Sequence, residues 1–250
     1  MTAQSTVHVF TARACAAPLR ECVALFEKQT GFRVEVGECS RHCASANAEE
    51  ATGTAGGDDF LQEIAEAGIY DLAIAGAEYL LDDGEVRGII AKGRRRFIAL
   101  RRAAILVPTD NPHRIAALAD VAKPGVRVAV SVLDCLKGLW EDVCGRAGLL
   151  DPVRKNITFY ANGCIAIVEA VAEGKVDAAF GWSAFKHLEA DRIEMVELPP
   201  EHQVLRGTGV GLLSFSKEPE AATRFMDFLT TPEARHFYKK YGWVVRKKRA

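Results

Sequence analysis

The sequence predicts an α/β fold with largely parallel sheets, on three observations. Short apolar runs rich in Val, Ile, Ala and Phe alternate with helix-length amphipathic segments along the chain. That alternation is expected where crossover helices cover a parallel sheet. Within the longest early segment, Leu19, Cys22, Val23 and Phe26 recur at i, i+3, i+4 and i+7, the stripe of a core-facing helix. Gly and Pro punctuate the junctions, as at helix ends and turns.

The elements follow in order. VHVFTA at 7–12 reads as a first buried strand. A helix from about Ala16 to Thr30 carries Pro18 in its first turn, where a missing N–H is tolerated, and Gly31 ends it. FRVEVG is a second strand. The small, polar stretch 44–58 is the longest loop-like segment, followed by a helix at about 59–67 and the strand YDLAIAG at 70–76. The strand AAILVP at 103–108 leads through DNP into a short helix near 114–122. A strand at 126–131, a helix at 137–147, the strand ITFYA at 157–161, a helix at 164–173 and the strand DAAFGW at 177–182 come next. From Pro219 the chain reads as helical, with a further helix in PEARHFYKKYG. Repeats and low-complexity tracts are absent.

A chain of 250 residues allows one large domain or two lobes. Its formal net charge of −1 gives no general electrostatic reason to bind nucleic acid or an acidic membrane surface. The basic stretches GRRRFIALRR at 93–102 and RKKRA at the C-terminus read as solvated faces. No apolar run reaches the ~20 residues of a membrane helix. MTAQSTVHVF has no basic n-region followed by an apolar h-region. The expectation is therefore a cytoplasmic chain, or a periplasmic or extracellular one if a leader was removed.

Seven cysteines cannot all pair within one chain, and spread thiols without a secretory signal favour reduced, metal-binding or buried roles. Cys22 and Cys144 sit at apolar helical positions and read as core. Cys15, the Cys39/Cys43 pair in CSRHC, Cys135 and Cys164 fall where four strands run out into loops, the usual ligand-binding end of α/β sheets. Four thiolates suit an iron–sulfur cluster, 4Fe–4S in type, or tetrahedral zinc. The spacing matches no compact ferredoxin or zinc-ribbon pattern. His42 reads as a further ligand or a solvated loop residue. Arg13, Arg41 and Lys137 flank these loops and would stabilise an anionic cluster or an oxyanion alike. GTAGG is not followed by GK[ST], and GxSxG is absent. Cys15 or Cys164 at a helix N-terminus suits a nucleophile, but no base partner is identifiable, so no enzyme is expected.

Three stretches together carry a family likeness: VHVFTARACAAPLRECVALFEKQTGFRVEV, ILVPTDNPHRIAALADVAKPGVRVAV and VEAVAEGKVDAAFGW. The most specific match is the closing KEPEAATRFMDFLTTPEARHFYKKYGW. The chain resembles the molybdate-binding periplasmic proteins, of the type II solute-binding fold, with 37–68 the least similar part. The resemblance implies two α/β lobes, 1–104 plus 193–250 and 105–192, with a ligand cleft between them. In that family serine hydroxyls, backbone N–H groups and a tyrosine hydroxyl hold a tetrahedral oxyanion. Here the first serine position falls at Ala14 beside Cys15, and the second keeps Ser40 between Cys39 and Cys43. The third loop, SVLDCLKG, keeps Ser131 and brings Cys135. The fourth places Cys164 at a helix start, and the tyrosine position is Trp182. The resemblance thus implies one shared site. The first expectation is a cluster or related metal centre on Cys15, Cys39, Cys43, Cys135 and Cys164, with Arg13, Ser40, Arg41, His42, Ser131, Lys137 and Trp182 around it. Its partner would be a cluster donor or acceptor protein. The alternative is a molybdate or tungstate receptor serving an ABC permease; a thiol site for zinc, copper(I) or arsenite is a third.

Overall fold

A computed structural model of the chain describes residues 5–39 and 60–245. These form two compact units, 5–39, 60–100 and 206–245 in the first and 101–205 in the second. His42, Arg41, Ser40 and Cys43, named above, lie outside the described residues, as do most of 37–68 and the terminal RKKRA.

The first unit opens with β1 (Thr6–Thr11) and α1 (Ala16–Thr30), then β2 (Arg33–Glu38), α2 (Phe60–Ala67), β3 (Leu72–Ala75) and α3 (Glu78–Val86). β4 (Ile90–Pro108) starts here and ends in the second unit. The second unit continues with α4 (Leu118–Val121), β5 (Val128–Val130), α5 (Leu139–Ala147), α6 (Leu150–Asn156), β6 (Ile157–Tyr160), α7 (Cys164–Ala172), β7 (Ala178–Trp182) and β8 (Ile193–Glu197). β9 (Leu205–Leu213) returns the chain to the first unit, which closes with α8 (Pro219–Phe228) and α9 (Pro232–Lys240).

In the first unit the strand order is β2-β1-β3-β9-β4. β1 runs parallel to β2 and β3, with Thr11 opposite Glu38 and Ile74, while β9 is antiparallel to β3. β3 is buried along its whole length, as strands covered on both faces are. α1 ends as expected, with Gly31 at φ 76° donating its N–H to Glu27 O; only glycine takes that left-handed position cheaply. Its core face meets α8 through Phe26, whose ring lies 4.9 Å from Phe225 and 5.2 Å from Phe228. α9 is capped by Thr231, whose hydroxyl accepts from Ala234 N, with Pro232 at the first helical position.

In the second unit β7 lies between β4 and β5, β5 between β7 and β6, and β8 pairs with the other side of β4. β5 is parallel to β6 and β7, whereas β4 is antiparallel to β7 and β8. Both sheets are thus mixed rather than largely parallel. The structure also adds α3, α6, β8 and β9 to the expected elements and shortens the expected helix at 114–122 to Leu118–Val121. The strand expected at 103–108 begins at Ile90, so the basic stretch 93–102 is strand. Its residues alternate: Arg102 reaches Glu197 Oε1 at 2.6 Å, while Arg101 points into the protein and is 2% exposed. For Arg101 the expectation of a solvated face fails, because a strand sends successive side chains to opposite faces.

Candidate functional site

The parallel strands of the second unit carry their chemistry at their carboxyl ends. β5 ends at Val130 and is followed by Ser131 and by the short turn Asp134–Leu136 that contains Cys135. β6 ends at Tyr160, and three residues later Cys164 opens α7. β7 ends at Trp182. Because β4 is antiparallel to β7 with Ala103 opposite Trp182, Arg101 arrives at this same edge of the sheet.

Ser131 is buried, and its hydroxyl oxygen accepts the N–H of Leu133 at 3.2 Å, closing the turn after β5. Cys135 is half-buried and Lys137 exposed. Cys164 is buried as the first residue of α7, after Gly163 at φ 95°. That helix has no side-chain cap and makes its first i→i−4 bond from Ile167 N to Gly163 O. Its leading N–H groups give the edge a partial positive charge. Trp182 is fully buried, and its indole carries the Arg101 guanidinium, whose carbon lies 4.3 Å from the ring centroid. Arg101 Nε and Nη2 are buried and have no hydrogen-bond partner among the described residues. Buried cationic donors are ordinarily paired, so this bare edge is the strongest polar irregularity of the unit. Sequence reasoning missed it. The signal available was the strand period, which sets Arg101 on the opposite face from Arg102.

The carboxyl ends of β1 and β2 in the first unit hold Arg13, Cys15 and Cys39. Cys39 N donates to Thr11 O at 3.0 Å and Cys15 N to Ala12 O at 2.7 Å, so both loops are fixed by backbone bonds. Both cysteines are 1% exposed. Arg13 is half-exposed with Nε 3.6 Å from Glu38 Oε2, and Glu38 also pairs with Arg20. Glu38 therefore neutralises much of the positive charge expected of Arg13. Cys22 and Cys144 are core, as the sequence indicates: burial first, then Glu21 and Glu141 respectively, push each thiol up to about 12. Cys22 Sγ donates to Ala234 O. Tyr238, fully buried on α9, is pushed well above the ordinary phenol range by burial, with Cys22 and Cys15 adding to the effect.

Among the described residues, no group of three or more His, Cys, Asp or Glu side chains is arranged to hold a metal ion. Each unit brings two of the expected ligands to its own strand ends, Cys15 and Cys39 in one and Cys135 and Cys164 in the other.

The mixed α/β scaffold is that of the type II periplasmic solute-binding proteins. The chain belongs to the bacterial extracellular solute-binding protein family, whose model matches residues 7–244. No curated protein matches it. Among solved structures it is similar to L-phospholactate-bound PEB3, at 20% identity over 96% of this chain and 100% of that one, with a TM-score of 0.78. It is also similar to the periplasmic molybdate-binding protein of Azotobacter vinelandii, at 19% identity over 96% and 100% of the two chains, TM-score 0.73. The sulfate-binding protein SubI of Mycobacterium tuberculosis H37Rv matches at 12% identity over 96% and 86%, TM-score 0.77. The resemblance to molybdate-binding periplasmic proteins read from the sequence holds at the level of fold.

Proposed function

We propose that this protein is the capture component of a transport system, binding a small oxyanion outside the cytoplasm and handing it to an ABC permease. It performs no chemistry on the solute. One observation carries the reading: the Arg101 guanidinium is 2% exposed, with Nε and Nη2 lacking any hydrogen-bond partner among the described residues. A buried cation without a counter-charge is costly, and an anion arriving at that edge removes the cost. The N-terminus of α7 at the same edge adds backbone donors. The ligands named for the three similar structures above, L-phospholactate, molybdate and sulfate, are oxyanions. The family description and the absence of a membrane-length apolar helix among the described residues agree with a receptor outside the membrane.

Calorimetry on ligand-stripped protein with molybdate, tungstate, sulfate and phosphate tests the proposal. Saturable heat with at least one of them is expected. No heat with any of these four, nor with an organic phosphate or a carboxylate, would remove the reading.

An iron–sulfur cluster is the second reading, favoured by the strand-end positions of Cys15, Cys39, Cys135 and Cys164, with Cys43 as a further thiol. The described residues supply no three-ligand group for it, so it ranks below the oxyanion. Anaerobic reconstitution decides: protein that stays colourless and free of iron and sulfide ends it.

A further inference from the structure

Two arginines of the second unit offer the same edge of the guanidinium and meet different partners. Arg127 sets Nε 3.2 Å from Asp177 Oδ2 and Nη2 2.7 Å from Asp177 Oδ1. That is a side-on fork closed on both oxygens of one carboxylate. Arg101 holds the same two nitrogens, Nε and Nη2, buried and with no hydrogen-bond partner among the described residues. Its guanidinium carbon lies over the Trp182 indole, 4.3 Å from the ring centroid. The backbone that follows fixes its direction: Arg102 is tied to Glu197 on the opposite face of β4, and Ala103 is in register with Trp182.

We propose that Arg101 is a specificity-determining residue of the solute site. It takes a carboxylate or phosphate edge, two oxygens on one carbon or phosphorus, in the way Arg127 takes Asp177, in preference to molybdate and tungstate. This rests on the oxyanion reading of the same site and narrows it. A guanidinium fork matches carboxylate and phosphate oxygens bidentately. Molybdate and tungstate have longer metal–oxygen bonds, so their oxygens stand wider apart and match the spacing of the two donors less closely. The Trp182 contact holds the guanidinium carbon 4.3 Å from the ring centroid and limits how far the group can move to fit the wider spacing. Burial strengthens the discrimination, because a misaligned donor in a dry site has no water to turn to.

The test uses the full chain, stripped of ligand, and calorimetry with inorganic phosphate, glycerol 3-phosphate, succinate, molybdate and tungstate. At least one phosphate or carboxylate probe is expected to bind at least about tenfold more tightly than either metalate. Which of the two chemistries leads identifies the source of the edge. Arg101→Lys keeps the charge and loses the fork, and is expected to weaken the preferred probe at least about tenfold while changing the metalates less. Far-UV circular dichroism and a thermal melt establish that the variant is folded; if it is not, the order of affinities in the native protein decides alone. Metalates binding as tightly as the phosphate and carboxylate probes, or full affinity in Arg101→Lys, overturns the inference and leaves the oxyanion reading standing. Absence of binding by all five probes, and by sulfate, removes both.

Discussion

Asp71 gathers the first unit around one carboxylate. It is 2% exposed. Oδ1 accepts from Ser216 Oγ at 2.7 Å and from the N–H groups of Lys217 and Glu218 at 3.0 Å, while Oδ2 accepts from His8 N at 2.9 Å. Asp71→Ala strands four donors and is expected to cost about 3 kcal/mol or more, read as a fall in the urea midpoint. Asp120 works at the start of α4, accepting from Ala116 N and Ala117 N at 2.9 Å and pairing with Lys123. The Lys123 hydrogen bond, with the backbone bonds behind it, holds its carboxyl down at about 2 from an ordinary 3.8. A lowered carboxylate contributes stability above its unfolded value and loses it as pH falls through the folded one. Asp120→Asn should therefore be about 1 kcal/mol less stable at pH 7, with the gap closing between about pH 4 and pH 2. Denaturation at a series of pH values checks this. At this scale the sequence showed Cys22 and Cys144 as core, because an apolar helical stripe is a strong signal. Arg101 was hidden inside a run of basic residues whose average character is solvated. Only the pairing of β4 with β7 reveals which arginine turns inward.

Elements with clean periodicity were legible: α1 matches its expected bounds, and β5, β6, α7 and β7 each fall within a residue or two. The elements that escaped have physical reasons. The first half of β4 is rich in arginine because its exposed positions carry charge, with Arg94 bonded to Thr223 and Arg96 to Asp227. β8 is a short edge strand. β9 reads RGTGVG, a sequence poor in strand formers, yet its glycines alternate and lie on one face. A Cβ on Gly209 would lie 2.9 Å from Leu81 Cδ1 and 3.2 Å from the Arg96 carbonyl oxygen, and one on Gly211 2.9 Å from Ile90 Cγ2. These glycines admit the side chains of α3 and β4 against the sheet. Gly209→Ala is accordingly expected to cost about 1–3 kcal/mol by overpacking, visible as a lower melting temperature.

For the molecule as a whole, the family and fold were readable because the resemblance spans the chain, while the solute was not, because it depends on one side chain's partners. Capture of the correct anion should stabilise the native state by about 2.7 kcal/mol at a hundredfold excess over its Kd. That corresponds to a rise of at least about 5 °C in melting temperature for a chain of this size. Chloride should give no such rise, and Arg101→Gln should reduce it for the cognate anion. A final consequence follows from β4 and β9, which carry the chain out of the first unit and back. The second unit's described residues, 101–205, are continuous in sequence, whereas the first unit needs both 5–100 and 206–245. During synthesis the ribosome therefore delivers a complete second unit first. The first unit, with β9 as an interior strand between β3 and β4, must wait for the tail of the chain before its sheet can close.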